Sequence, residues 1–407
     1  MDRIGRIAVL LGWALSMGVL GVSGQAWAEQ EPVDWRAWGA EQARAAAALA
    51  PKVLFMEGEI ELGLVSRSDL EGAAASAMVR LGDAEGAAAM LGVMERTRGG
   101  LMNAYDRSWA VATRAEVMAQ LGRMDEAEAE LERAEVATRR LMGQAWVGVA
   151  AGESGDRAAM DAALKGFVEG MPAALAAANE DDWDESWLAY EVAWLQSVAG
   201  DADGIMVLAA GLEDEVIAYE LRGLAGRVLV DAGRLAEARA VADSVAVYMD
   251  NAEAENRRQG LEVGDEGFVD VDLIRYEMIG LWAGIGQMER AEAERRLYGQ
   301  WGPDWEAEGW AVMAAYMREP AQAAERAAAF RRAVRLVKDI ESEYDRAWSA
   351  RLIGEAIGMS GDLGAARLLV ESDDRPFVKG MAHAGLAWGA VMRVGPKRLG
   401  AGLAMGR

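Results

Sequence analysis

Seven times in this chain a helix-forming run stops at a glycine and another run starts at once. The segments are RLGDAEGAAAML, QLGRMDEAEAEL, ESGDRAAMDAAL, VAGDADGIMVLA, DAGRLAEARAVA, GIGQMERAEAER and MSGDLGAARLLV. Their turn glycines are Gly82, Gly122, Gly155, Gly200, Gly233, Gly286 and Gly361. A glycine there supplies the left-handed backbone that ends a helix without a Cβ penalty. Five residues on stands a small or apolar residue (Ala87, Ala127, Met160, Ile205, Ala238, Ala291, Ala366). Seven residues before stands a small one (Ala75, Ala115, Gly148, Ala193, Gly226, Gly354), with Ile279 the exception. Small residues on both sides of a turn let two antiparallel helices approach closely. Internal recurrence of this kind marks repeat architectures, and the pattern predicts an all-α chain of helical hairpins. A degenerate copy, MREPAQAAERAA, has Glu-Pro in place of the glycine. Strand signals are confined to two ambiguous pieces, PKVLF and EGFVDVD.

The best copy, AVATRAEVMAQLGRMDEAEAELERAE at 110–135, carries Ala115, Gly122, Met124, Ala127, Leu131 and Ala134 in register. This resembles the tetratricopeptide repeat, a helix–turn–helix unit of ~34 residues. The match covers roughly 65–395. It departs from the family in two respects: the aromatic before the turn survives only as Trp282, and the proline that closes each unit is absent. The resemblance implies an α–α superhelix, a TPR-like solenoid whose first helices line a concave groove for a protein or extended peptide. The domain organisation that follows is a leader over 1–28, a helical capping segment over 29–65, helical repeats over 66–395 and a tail over 396–407. Glycine spacings of 40, 33, 45, 33 and 53 residues alternate tight and loose steps. The largest insertion, 251–272, reads as a long surface loop or a short extra element.

YDRSW at 105–109, WDESW at 183–187 and YDRAW at 344–348 repeat one pentapeptide. Sixteen residues before the turn glycine, each repeat after a loose step offers a helix N-cap: Asp106, Asp184, Asp270 and Asp345, with Ser66 in the first. Such a side chain accepts a free backbone N–H and stabilises a helix start by ~1 kcal/mol. Three residues later come Trp109, Trp187, Leu273 and Trp348, placed to pack on the preceding repeat. What recurs at equivalent positions serves the fold, so the pentapeptide is read as scaffold.

The first residues combine a weakly basic start, an apolar run and an Ala-Trp-Ala site at 26–28. That is the pattern of a cleavable leader, cut after Ala28, which predicts a periplasmic or secreted protein with no membrane insertion after cleavage. A net charge of −24 repels phosphate backbones and argues against nucleic acid as a partner. With no Cys and the single His383, neither a thiol nucleophile nor a Cys/His metal site can be built. No metal and no cofactor are expected.

One helix departs from its siblings. In DESWLAYEVAWLQS the residues Trp187, Tyr190 and Trp194 form an aromatic stripe at i, i+3 and i+7. Equivalent positions in other repeats hold Ala112 and Arg351, or Glu116 and Glu355. The stripe is the candidate binding site, for a peptide or a sugar, although ordinary core packing produces the same spacing. The acidic EDDWDES at 180–186 is what a helix start favours rather than a catalytic carboxylate pair. GDADG at 200–204 lacks the first and last carboxylates of a calcium loop. The function expected is a non-enzymatic scaffold binding a protein or peptide. The alternatives are a secreted all-α carbohydrate-active enzyme and a structural subunit of a cell-envelope complex.

Overall fold

A computed structural model of the chain describes residues 33–54, 60–177, 185–263, 265 and 267–394. The leader, its cut after Ala28 and the 396–407 tail lie outside these residues. The fold below is that of the unit that begins at residue 36. The described residues form α-helices and short 3-10 turns with no strand, so the chain is all-α. The described part of PKVLF holds a 3-10 turn, and that of EGFVDVD a turn and irregular chain leading into a helix.

Eighteen α-helices are described. The first eight are α1 (Trp35–Leu49), α2 (Ile60–Arg80), α3 (Ala84–Arg98), α4 (Ala104–Gln120), α5 (Met124–Leu131), α6 (Ala137–Glu153), α7 (Arg157–Ala177) and α8 (Glu185–Val198). There follow α9 (Ala202–Ala210), α10 (Glu215–Asp231), α11 (Leu235–Gln259), α12 (Asp272–Gly284) and α13 (Met288–Tyr298). The last five are α14 (Pro303–Tyr316), α15 (Ala323–Leu336), α16 (Glu343–Ser360), α17 (Leu363–Val370) and α18 (Pro376–Val394). None of them is long and apolar enough to cross a membrane.

All seven turn glycines have positive φ, from 73° at Gly233 to 107° at Gly155. The residue after each glycine donates its N–H to a carbonyl five positions back, as Asp83 does to Met78 and Arg123 to Met118, both at 2.9 Å. That bond closes a Schellman turn and satisfies a carbonyl the helix end leaves free. The small residues around the turns are buried, Ala75, Ala115, Ala87 and Ala127 completely. At the degenerate copy the hairpin forms without glycine: Met317 ends α14 and Pro320 opens a 3-10 turn that leads into α15.

Helix starts differ from expectation. The caps of α4 and α16 are Asn103 and Ser342, which accept the N–H of Asp106 at 2.7 Å and of Asp345 at 3.2 Å. Asp106 and Asp345 therefore lie within the first turn, where their charge still favours the helix dipole. Ser66 is buried inside α2, because that helix begins at Ile60. Asp270 accepts from Asp272 N–H at 2.9 Å beside the cap residue Val271, and Asp184 is outside the described residues. Aspartates after the turn glycines cap the second helices instead: Asp83, Asp201 and Asp362 accept from Gly86, Gly204 and Ala365. The 251–272 insertion also starts as helix. Helix α11 continues to Gln259, and Asn256 holds the following chain against it through both polar groups of Val269, at 2.9 and 3.1 Å.

Even-numbered helices form an inner series. Each packs on the next, α2 on α4 and so on to α16 on α18, and α18 then packs on α2. The pairs therefore do not run on as an open superhelix; the series closes. Trp388 of α18 donates its indole N–H to Ala73 O of α2 at 3.1 Å. The odd-numbered partner of α18 is the N-terminal α1. A Cβ on Gly39 of α1 would stand 2.6 Å from that of Ala390, and His383 Nδ1 lies 2.8 Å from Gln42 Oε1. First and last elements thus make up one pair. Burial holds the His383 imidazole down at about 4, so it is neutral at pH 7.

Helices α16 and α18 share the closest contact of the fold. Gly354 and Gly358 on one, Gly385 and Gly389 on the other, bring the backbones together. A Cβ on Gly358 would stand 2.6 Å from Leu386 O, and one on Gly354 2.8 Å from Ala382 O.

Candidate functional site

The inner helices carry polar residues at positions that face the centre. Six residues before the turn glycine stand Ser76, Glu116, Trp194, Arg227 and Glu355 in five of the seven hairpins, with Val149 and Gly280 in the other two. On the α2–α6 side they pair among themselves. Arg80 joins Glu116 at 2.6 Å and Glu153 at 3.0 Å, with the Arg80 side chain only 5 % exposed. Ser76 donates to Glu116 at 2.8 Å.

On the other side, α7 to α18 leave a cavity of about 1400 Å3. Its walls combine rings (Tyr190, Trp194, Tyr276, Tyr298, Tyr316, Trp348) with carboxylates and guanidiniums. Arg227 bonds Glu277 at 2.8 Å and Tyr316 at 3.2 Å. Arg351 bonds Glu355 at 3.1 Å and lies over Trp194 and Trp348 at 5.3 and 5.0 Å. A guanidinium over an aromatic face is held by the ring quadrupole. Glu308 accepts from Ser349 at 2.6 Å and Tyr298 at 3.1 Å.

The predicted stripe divides. Tyr190 and Trp194 both line the cavity and are both partly buried. Tyr190 donates its hydroxyl to Glu277 of α12 at 3.0 Å. Trp194 reaches across to α18, edge-on to Trp388 at 4.6 Å. It is a strut between helices as well as a wall, so its truncation removes packing along with any binding face. Trp187 belongs to α8, and its side chain is outside what is described. Of the scaffold tryptophans, Trp109 lies between α2 and α6, donating to Asp69 at 3.1 Å and packing edge-on to Trp146 at 5.2 Å. Trp348 instead faces the cavity, and Leu273 is 51 % exposed.

Reading the sequence missed the acidic wall. Of that wall, Glu355 figures in the sequence reading only as the counterpart of Trp194, and Glu191 and Glu308 do not figure at all. The available signal was a charged residue in mid-helix, in step with the turn glycine and flanked by small or apolar residues. Burial raises the carboxyls of Glu191 and Glu355, and pushes Asp69 and Glu308 up to about 7. Among the described residues no three His, Cys, Asp or Glu side chains stand as a metal would need.

These shifts fix the sign of a pH effect. A carboxyl whose folded pKa is raised binds its proton more tightly in the native state. Its contribution is full below the unfolded value and is lost as pH rises through about 7. For Glu308 that is roughly 3 kcal/mol. Melting temperature is expected to fall between pH 5.5 and pH 8.5, and less steeply in Glu308→Gln. A flat wild-type profile would contradict the burial of Asp69 and Glu308.

No protein-family model matches this chain, and neither a curated protein nor a solved structure matches it significantly.

Proposed function

We propose that the protein is an exported, non-catalytic helical-repeat scaffold that takes a segment of another protein into its central cavity. The resemblance to tetratricopeptide repeats supports hairpins as a binding frame, and the leader pattern supports export. The observation that carries the reading is the cavity. At about 1400 Å3 it exceeds the roughly 300–1000 Å3 of small-molecule sites, which suits a peptide segment. Its acidic groups are largely engaged by the protein itself, Asp201 and Glu355 by arginines and Glu308 by two hydroxyls. Glycoside hydrolysis needs one carboxyl to deliver a proton and another to attack or to activate water, and groups already engaged suit that role poorly.

Photo-crosslinking at two positions tests this. A crosslinker at Leu352, in the cavity wall, is expected to give a protease-sensitive adduct of defined mass in the envelope fraction. One at Val207, 72 % exposed, is expected to give none. Adducts from Val207 alone would place binding on the outer helices. Release of reducing ends from a polysaccharide panel would show catalysis instead.

A further inference from the structure

Charge in the cavity does not balance. Seven carboxylates line it against four guanidiniums, and two further arginines behind the wall, Arg234 and Arg318, take Asp203 and Asp231. Arg227 and Arg351 are committed to Glu277 and Glu355, and Arg157 to Asp201 at 3.0 Å. Two groups in the same wall are left over. Glu191 makes no hydrogen bond or ion pair among the described residues, although Arg351 and Arg139 act on it through space. The Tyr276 hydroxyl makes no hydrogen bond there either. It stands in the field of Glu277, Glu308 and Glu355, opposed by Arg227. Around it stand the rings of Tyr190 and Tyr298, the latter 5.7 Å away. Aromatic faces beside Glu191 and Glu308, neither of them in an ion pair among the described residues, form the environment that stabilises an organic cation. The chain's net charge of −24 steers cations toward such a cleft.

We propose that the segment bound in the cavity is basic, and that an arginine or lysine side chain sets its charged head between Glu191, Glu308 and the Tyr276 ring. This rests on the reading of the cavity as a site for a protein segment and names the chemistry of that segment. Binding then carries a pH signature. Glu308 is faced by Tyr298 of α13, Tyr276 of α12, Ser349 and Asp345 of α16 and Asp304 of its own helix. An incoming cation favours its ionised form. Affinity therefore rises as pH passes upward through about 7 and a proton is released on binding.

The test is calorimetric titration of the full chain with an acetylated, amidated Gly-Arg-Gly-Arg-Gly peptide and its citrulline counterpart, which keeps the shape and lacks the charge. The arginine peptide is expected to bind at least ~10-fold tighter at pH 8, and to weaken at pH 6. Glu191→Gln and Tyr276→Phe, each checked for an unchanged melt, are expected to remove most of that difference. Glu128→Gln, exposed on α5, measures the general attraction of an acidic protein and is expected to leave it in place. Equal binding of both peptides overturns the proposal, as does an equal effect of Glu128→Gln and Glu191→Gln, or tighter binding of a neutral oligosaccharide. If the citrulline peptide binds as well and the cavity variants abolish both, the segment-binding reading survives and the basic class falls. If neither binds and Leu352 gives no adduct, both fall.

Discussion

Gly385→Val is expected to destabilise the protein by about 4 kcal/mol or more, into the range where single substitutions unfold a domain. A Cβ at Gly385 would be driven into the backbone carbonyl of Arg351 on α16. A carbonyl cannot swing aside as a side chain can, so α16 and α18 must separate. Separation also breaks the circle, because the same stretch of α18 holds α2 through Trp388 and α1 through His383. Urea denaturation measures the loss. Gly166→Ala is the control: it lies in helix α7 with nothing within 4 Å of its would-be Cβ, and alanine there is expected to stabilise by ~0.5–1 kcal/mol. Similar midpoints for Gly385→Val and wild type would mean that the two helices are not in backbone contact.

Removing Arg80 is expected to cost about as much. The Arg80→Met variant leaves the buried Glu116 and the partly buried Glu153 without their guanidinium, and breaking one partner of a buried ion pair costs ~3–5 kcal/mol. It also removes the cation lying 5.1 Å over Trp388, which ties the network to the closing seam. Glu116 is already raised by burial despite Arg80, and without Arg80 it rises further. The penalty is accordingly full at neutral pH and shrinks as pH falls toward the unfolded carboxyl value, where the native state takes up the proton. Denaturation at pH 5 and pH 8 checks the sign. The double variant Arg80→Met with Glu116→Leu is expected to recover part of the loss, since an apolar pair can replace a buried ionic one. A penalty independent of pH would show that Glu116 does not feel Arg80.

Local features of the fold were legible because their causes are local. A φ of 76° at Gly122 follows from the turn between two adjacent runs, and burial of Ala115 and Ala127 follows from their fixed distance to it. The caps were misread by one helical turn because Asp106 and Asn103 offer the same chemistry three residues apart. Which of them caps depends on where the preceding chain delivers the backbone. Two of the three stripe residues, Tyr190 and Trp194, lie on the cavity wall, but their meaning was not legible. A Trp at position 194 reads alike whether it meets solvent, a ligand or Trp388.

By itself the sequence determined the all-α class, the hairpin unit and its seven glycine turns, since turn chemistry and helical period act within about 35 residues. Tertiary structure alone decided that the series closes. Closure depends on α1 meeting α18 and on Trp388 meeting Ala73, which are 315 residues apart, and no periodicity spans such a separation. The glycines of GEAIG and GLAWG show that some backbone comes close, not which one. Closing the circle also turned polar mid-helix residues inward. Buried together, Arg80 and Glu116 form a structural pair, while Glu191 and Tyr276 are left facing a cavity.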